Sequence, residues 1–221
     1  MKAPVFFNCR NKKLWLTGER CVFWEEEKTL ILSDLHFGKT GHFRKSGIPV
    51  PQNIYKKDLQ RLFQQLQYFQ PRQLVIVGDM FHSRDNKELD LFKKWRNDFP
   101  DLHIQLIKGN HDILHDDWYK DAAVSISDPS WNMSDFVFHH DPAASFQTIL
   151  HKNDYIFSCH LHPGIRINGQ GRQSLTFPCF YFSSNFAVLP AFSAFTGVVL
   201  IDPKPGENVF AIVKNEVIQL Q

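Results

Sequence analysis

Asp34 and His36 stand two residues apart, and four further polar clusters follow them along a chain of 221 residues: Gly78-Asp79, Gly109-Asn110-His111-Asp112, His139-His140-Asp141 and His160-Leu161-His162. Carboxylate, amide and imidazole groups are the donors that divalent transition metals accept in mixed sets. Residues i and i+2 of an extended segment face the same way. The spacing of Asp34 and His36, and again of His160 and His162, therefore predicts that each pair reaches one ion. A carboxylate has two oxygens, so Asp79 can bridge two cations, and the glycine before it permits a tight turn and close approach. In Asn110-His111-Asp112 three consecutive side chains point in different directions. One can bind metal, one can meet a substrate and one can orient its neighbour. Neighbours on a strand alternate, so one of His139 and His140 faces the site while the other is packed or solvated.

Taken singly, each cluster has an ordinary explanation: a solvated loop for Asp34-x-His36, a common turn for Gly78-Asp79, a turn with an exposed histidine for residues 109–112. Together they give three carboxylate or amide donors and four histidines at five strand ends. Seven donors with Asp79 shared suit two adjacent cations. Two-metal phosphatase sites hold their ions roughly 3.5–4 Å apart and clamp both the attacking and the leaving oxygen.

These groups need rigid elements behind them. Thr29 to Ser33, Leu74 to Val77 and His103 to Ile107 are short apolar runs of the kind that form buried strands, and each ends at one of the clusters. Between them, Tyr55, Leu59, Leu62, Leu66 and Phe69 recur at helical spacing up to Pro71. Leu89, Phe92 and Trp95 do the same in a helix over Lys87 to Phe99. Strand, helix, strand, helix, strand is the order of right-handed crossover units and a mainly parallel sheet. In open α/β sheets ligands sit at the carboxyl ends of the strands. Short strands at Val5 to Cys9, Lys13 to Leu16 and Cys21 to Trp24 precede this unit. The second half reads as strands at Asp135 to His139, Tyr155 to Ser158, Gln173 to Phe177, Phe180 to Phe182, Gly197 to Asp202, Val209 to Val213 and Val217 to Leu220. The expected fold is α/β, a four-layer α/β/β/α sandwich of two mixed sheets flanked by helices, with residues 1–221 as a single domain and the strands over 5–24 as an extension of the sandwich.

Composition excludes several classes. A net charge of +2 gives no electrostatic case for nucleic-acid binding, although a local basic rim can serve. The 21 phenylalanines point to a Phe-rich core rather than an aromatic binding box. Cys9, Cys21, Cys159 and Cys179 show no C-x-x-C pair, and no leader or membrane-length apolar run is evident, so the reading is a cytoplasmic protein with reduced thiols and no membrane association.

The series Asp34-x-His36, Gly78-Asp79, Gly109-Asn110-His111-Asp112, His140 and His160-x-His162 resembles the calcineurin-like metallophosphoesterase superfamily. The resemblance implies one metal held by Asp34, His36, Asp79 and His162, and a second held by Asp79, Asn110, His140 and His160. Two positions depart from the pattern: Cys159 stands where the last motif usually has glycine, and Asp141 follows His140 where glycine is usual. A narrower likeness lies in Gly38-Lys39-Thr40-Gly41-His42-Phe43-Arg44-Lys45-Ser46-Gly47-Ile48-Pro49-Val50-Pro51, in Phe81-His82-Ser83 and in Leu189-Pro190-Ala191-Phe192-Ser193-Ala194-Phe195-Thr196-Gly197. These stretches resemble the bacterial ligase-associated DNA damage response endonucleases. That implies a nucleic-acid phosphodiester substrate and, by genomic company, an association with a DNA ligase and helicase system in DNA repair. The family likeness favours manganese, and the donor set also suits iron or zinc.

The expected activity is phosphodiester hydrolysis. A metal-bridging hydroxide attacks phosphorus in line with the leaving oxygen, and His111 is the general acid for the leaving alkoxide. Asp112 either orients the His111 ring or caps the loop. Lys39, His42, Arg44 and Lys45, with Arg84, are candidate phosphate contacts on the rim, and Arg166 and Arg172 flank the last histidine pair. Two alternatives stand beside this reading: a phosphomonoesterase acting on a small nucleotide or other phosphate ester, and a metal-binding scaffold without activity. The late apolar strands also offer a surface for a homodimer.

Overall fold

The computed structural model describes residues 2–37, 53–81, 87–141, 154–169, 173–194 and 196–221. Lys39, His42, Arg44, Lys45, Arg84 and Arg172, with the whole of the segment 38–51, lie outside the described residues.

A first sheet has seven strands in chain order: β1 (Val5–Cys9), β2 (Lys12–Leu16), β3 (Val22–Trp24), β4 (Thr29–Ser33), β5 (Gln73–Val77), β6 (His103–Ile107) and β7 (Val124–Ser127). The pairs from β1 to β4 are antiparallel and those from β4 to β7 are parallel. The parallel part is wound by α1 (Asn53–Phe69), α2 (Lys87–Asn97) and the short α3 (Asp116–Asp121). The second sheet contains β8 (Ser130–Met133), β9 (Phe136–His139), β10 (Tyr155–Ser158), β11 (Pro163–Asn168), β12 (Ser174–Phe182), β13 (Phe186–Val188), β14 (Val199–Leu200), β15 (Asn208–Val213) and β16 (Glu216–Gln219). Its backbone order is β14-β11-β12-β13-β10-β9-β8, with β15 on β12 and β16 on β15.

The apolar runs are continuous because both faces of the central strands are covered. In β4, Leu30 and Leu32 pack towards the helices, against Leu62 and Leu66 of α1 and Phe92 and Trp95 of α2. Ile31, between them, packs the other way, against Phe136, Phe157 and Phe210 of the second sheet. β5 repeats the alternation, with Leu74 and Ile76 on the helix side and Val75 and Val77 between the sheets. Among the described residues ten of the largest fully buried side chains are phenylalanines, Phe81, Phe138, Phe180 and Phe192 among them, which places much of the Phe content in the core as expected.

Several elements differ from the sequence reading. Strands expected at Gln173 to Phe177 and Phe180 to Phe182 form the single β12. Pro178 faces Gly164 at the end of the β11 ladder, and the β15 ladder begins at Cys179, so the missing N–H falls where the strand changes neighbours. The strand expected over Gly197 to Asp202 is only Val199–Leu200. Strands β7, β8, β11 and β13, and helix α3, are additions to the expected set.

Candidate metal centre

The parallel strands β4, β5 and β6 end side by side, because their registers run Ser33 to Val77 and Val77 to Ile107. Their exits carry Asp34, Asp79 and Asn110. In the second sheet β9 and β10 are parallel neighbours, and their exits carry His140 and His160. Backbone hydrogen bonds tie the exits together: Asp34 N to Gly78 O at 3.3 Å, His36 N to Asp79 O at 2.9 Å and Cys159 N to His140 O at 3.2 Å.

The clusters converge by a different route from the one their spacing implies. Asp34, His36, Asp79 and His162 all have left-handed backbone, with φ of 47°, 48°, 42° and 45°. This region is sparsely allowed for residues with a Cβ and costs about 1–2 kcal/mol each. So the i, i+2 pairs do not lie on extended strand: Asp34-x-His36 is irregular chain and His160-Leu161-His162 includes a turn. Backbone in this region at four donors is local strain of the kind that surrounding structure must hold in place.

The donors fall into two adjoining groups. Asp34, His36 and His162 bring ligand atoms within 4.8 Å of one another, with His162 Nε2 at 3.5 Å from Asp34 Oδ2. On the other side, His140 Nε2 lies 3.1 Å from Asn110 Oδ1 and 3.1 Å from His160 Nδ1. Asp79 stands between the groups: its Oδ2 is 4.0 Å from His36 Nε2 and 3.7 Å from His140 Nε2. All seven expected donors are therefore together. Asp34, His36, Asp79 and His140 form a buried floor, Asn110 and His160 are exposed, and His162 is intermediate. His139, the alternative to His140, instead accepts from Asp141 N at Nδ1 (3.2 Å).

The electrostatics fit a cation. Asp34 is 0% exposed, and among the described residues neither of its oxygens receives a well-aligned hydrogen bond, although the Cys159 thiol and the His140 and His162 rings lie beside it. A buried carboxylate in that state costs several kcal/mol unless a positive charge compensates it. Burial lowers the pKa of His140, which leaves its ring neutral with a lone pair to give. Mixed oxygen and imidazole donors around a buried carboxylate thus match the divalent ions that such a set accepts.

Two glycines make the close approach possible. Gly78, at φ +73°, lies under the His140 ring, and a Cβ there would sit 1.8 Å from Nδ1. A Cβ on Gly109 would sit 2.2 Å from Asp79 Oδ1. Asp79 Oδ1 also accepts from His111 N at 2.9 Å, which fixes the start of the His111 loop. The His111 ring is half-buried, 5.8 Å from that of His36 between centroids. Of the two sequence readings of Asp112, its observed contacts are those of a loop brace. The buried carboxylate accepts from Phe81 N (3.0 Å) and Gly109 N (2.9 Å), joining the loops after β5 and β6, and burial pushes its pKa up to about 7.

Arg20 and Arg61 support the site from behind, and the sequence reading does not include them. Phe192 N donates to Ser33 O (2.8 Å) and Ser193 N to Asp34 O (3.1 Å), so the segment 190–193 lies against the exit of β4. That segment is gripped by Arg20 Nη1 on Ala191 O and Ser193 O (3.0 and 2.9 Å) and by Arg61 Nη1 on Phe192 O (3.0 Å). Arg61 is held by Glu19 (2.6 Å) and Asp58 (2.9 Å). The only sequence hint is the Asp58-Arg61 spacing on α1, since the long-range partners have no sequence signature. Arg166 lies on β11, away from the donors in sequence by four residues beyond His162.

A two-sheet α/β sandwich with carboxylate, amide and imidazole donors gathered at one end of its strands is the build of a metal-dependent hydrolase. The chain belongs to the calcineurin-like phosphoesterase family, whose model matches residues 27–188. It is similar to a nuclease of Pseudomonas putida, MPE, whose crystal structure gives a TM-score of 0.80 at 26% identity over 97% of this chain and 100% of that one. A phosphoesterase from E. coli, Yfce, aligns at 13% identity with a TM-score of 0.47, over 87% of this chain and 97% of that one. No curated protein sequence matches. The chain is accordingly a metal-dependent phosphoesterase. Among the described residues no helix is long and apolar enough to cross a membrane.

Proposed function

We propose that the protein is a two-metal phosphodiesterase whose substrate is a nucleic acid. The observation that carries the two-metal reading is the pair of donor groups meeting at Asp79, with both oxygens of the buried Asp34 receiving no well-aligned hydrogen bond among the described residues. One cation would be held by Asp34, His36, Asp79 and His162, the other by Asp79, Asn110, His140 and His160. Such a pair supplies an activated water for attack on phosphorus and neutralises charge on the phosphoryl oxygens. Manganese is the ion favoured here, with iron and zinc as alternatives for the same donors.

The chain's own residues supply the rest. His111 sits at the half-exposed edge of the cluster with its backbone anchored to Asp79, where its ring can deliver a proton to the departing oxygen. Asp112 holds the two loops that carry Asp79 and His111. Lys39, His42, Arg44 and Arg84 are proposed phosphate contacts, on the strength of their positions just after ligand motifs. The nucleic-acid part of the reading is supported by the likeness to a nuclease over 97% of this chain and 100% of that one. Residues 1–221 are taken as one domain, since β1 to β3 continue the sheet that carries the site.

The test is hydrolysis of bis-p-nitrophenyl phosphate beside p-nitrophenyl phosphate with manganese, for the native protein and His111→Ala, followed by a single-stranded oligonucleotide. Metal-dependent turnover of the diester, with a loss of about 10²- to 10⁴-fold in His111→Ala on the oligonucleotide, is expected. The loss on the nitrophenyl ester is smaller, because nitrophenolate departs without a proton. Faster turnover of the monoester would replace the reading with a phosphatase.

A further inference from the structure

We infer that Cys159 is a positioning residue for His140. In this chain it takes the place of the glycine expected before the last histidine pair, and its thiol sets which ring nitrogen of His140 faces the cations. The inference rests on the two-metal reading above only in taking His140 as a ligand.

The His140 ring is boxed in at Nδ1. Gly78 presses on that nitrogen closely enough that even a methyl group there would collide with it. The Sγ of Cys159 lies 3.1 Å from Nδ1, and the nearest oxygen of Asp34 is at 3.9 Å. The other nitrogen, Nε2, faces Asn110, His160 and Asp79. A neutral imidazole carries one N–H and one lone pair, and the partner of one nitrogen decides the tautomer. Cys159 Sγ is 2.8 Å from the carbonyl oxygen of Val77, at the end of β5. Val77 O is a nearer acceptor for the thiol than His140 O at 3.8 Å, so the thiol hydrogen is assigned there and the sulfur lone pairs to Nδ1. The chain of hydrogen bonds thus has a direction: His140 Nδ1–H to Cys159 sulfur, and Cys159 S–H to Val77 oxygen. It leaves the Nε2 lone pair directed into the donor cluster.

The same geometry sets the consequence of removing the thiol. Among the described residues the other polar group near Nδ1 is Asp34, a buried carboxylate that also lies beside the Cys159 thiol. An Nδ1–H freed from sulfur turns to that carboxylate and competes for a donor of the other cation. Cys159 therefore keeps the Nδ1–H of His140 away from a donor of the other cation. Partners of this kind, one bond removed from a metal, typically change affinity by about 10- to 100-fold when removed.

Three proteins decide the matter: native, Cys159→Ala and Cys159→Ser, the serine keeping one donor and one acceptor at the position. The ring tautomer of His140 is read by long-range ¹H–¹⁵N correlation on metal-free protein at about pH 8, where an ordinary imidazole is neutral. Manganese binding is read by calorimetry, and folding by thermal melting. The native protein and Cys159→Ser should show protonated Nδ1 and closely similar affinities. Cys159→Ala should melt as a folded protein but bind manganese at least tenfold more weakly, with a changed Nδ1 signal. An Nε2–H tautomer in the native protein, or native affinity in Cys159→Ala, overturns the inference. Absence of manganese binding by the native protein would instead sink the two-metal reading and leave the tautomer result standing by itself.

Discussion

Replacing Gly78 by alanine puts a methyl group where the His140 ring now lies. The added Cβ would be 1.8 Å from Nδ1 and 2.6 Å from Cγ, well inside the roughly 3.5–4.0 Å that two non-bonded heavy atoms prefer. The ring must leave or the β5 exit must move. The residue also has φ of +73°, which costs about 1–2 kcal/mol once a Cβ is present, and overpacking adds about 1–3 kcal/mol. The sum is about 2–5 kcal/mol, or about 4–20 °C in melting temperature at the 2–4 °C per kcal/mol usual for a chain of this length. Gly206 provides the control: it has φ of +89°, but a methyl group there would meet nothing within 4 Å. Gly206→Ala should show the backbone cost alone, about 1–2 kcal/mol, with manganese affinity unchanged. Gly78→Ala should lose at least tenfold in affinity, because His140 Nε2 is withdrawn from Asn110 and His160. Calorimetric titration and thermal melting of both variants give the answer. Native metal affinity in Gly78→Ala would refute the idea that this glycine places a ligand.

Three further outcomes are expected. Asp34→Asn removes a buried charge that receives no well-aligned hydrogen bond among the described residues, so the metal-free variant should be more stable than the metal-free native protein by about 1–3 kcal/mol while losing stabilisation by added metal; a metal-free variant no more stable than the metal-free native protein would contradict this. Asp112, with a folded pKa of about 7 against about 3.9 in an unfolded chain, keeps its proton longer when folded. The contribution of Asp112 to the stability of the metal-free protein should therefore be fully present below about pH 4 and fall as pH rises towards 7, by up to about 4 kcal/mol, and urea melts of Asp112→Asn should lose that part of the slope. Arg61→Met takes the guanidinium from Glu19, which keeps Asn215, and from Asp58, and releases Phe192 O, so chemical denaturation should show a loss of about 2–4 kcal/mol after allowance for partial exposure; an unchanged midpoint would mean that the segment 190–193 holds itself.

The donors themselves were legible from residue type and strand-end position. Asp34, Asp79 and Asn110 end apolar runs long enough to be buried strands, and such runs can pair only with ends aligned once helices link them in one hand. The three-strand core, both long helices and the two-sheet class come from that pattern. Short elements such as α3 and β13 were not legible, since a few residues hold no period and pairing with distant strands decides them. The joining of two expected strands into β12 likewise depended on where its neighbours end.

What the amino-acid order alone determined here is the inventory: which groups can bind a cation, and which runs of chain must be buried to carry them. Only the tertiary structure decided how they meet. The i, i+2 pairs converge through left-handed residues rather than strand alternation. His140 rather than His139 turns to the centre because Gly78, on a different sheet, leaves room for its ring. Asp112 braces two loops because amides of Phe81 and Gly109 are presented to it. The first of these is a matter of backbone held in place by its surroundings, and the other two are contacts between separate loops. Side-chain chemistry is a local property, whereas the free space, the backbone strain and the hydrogen-bond partner at each donor are set by whatever the fold packs against it.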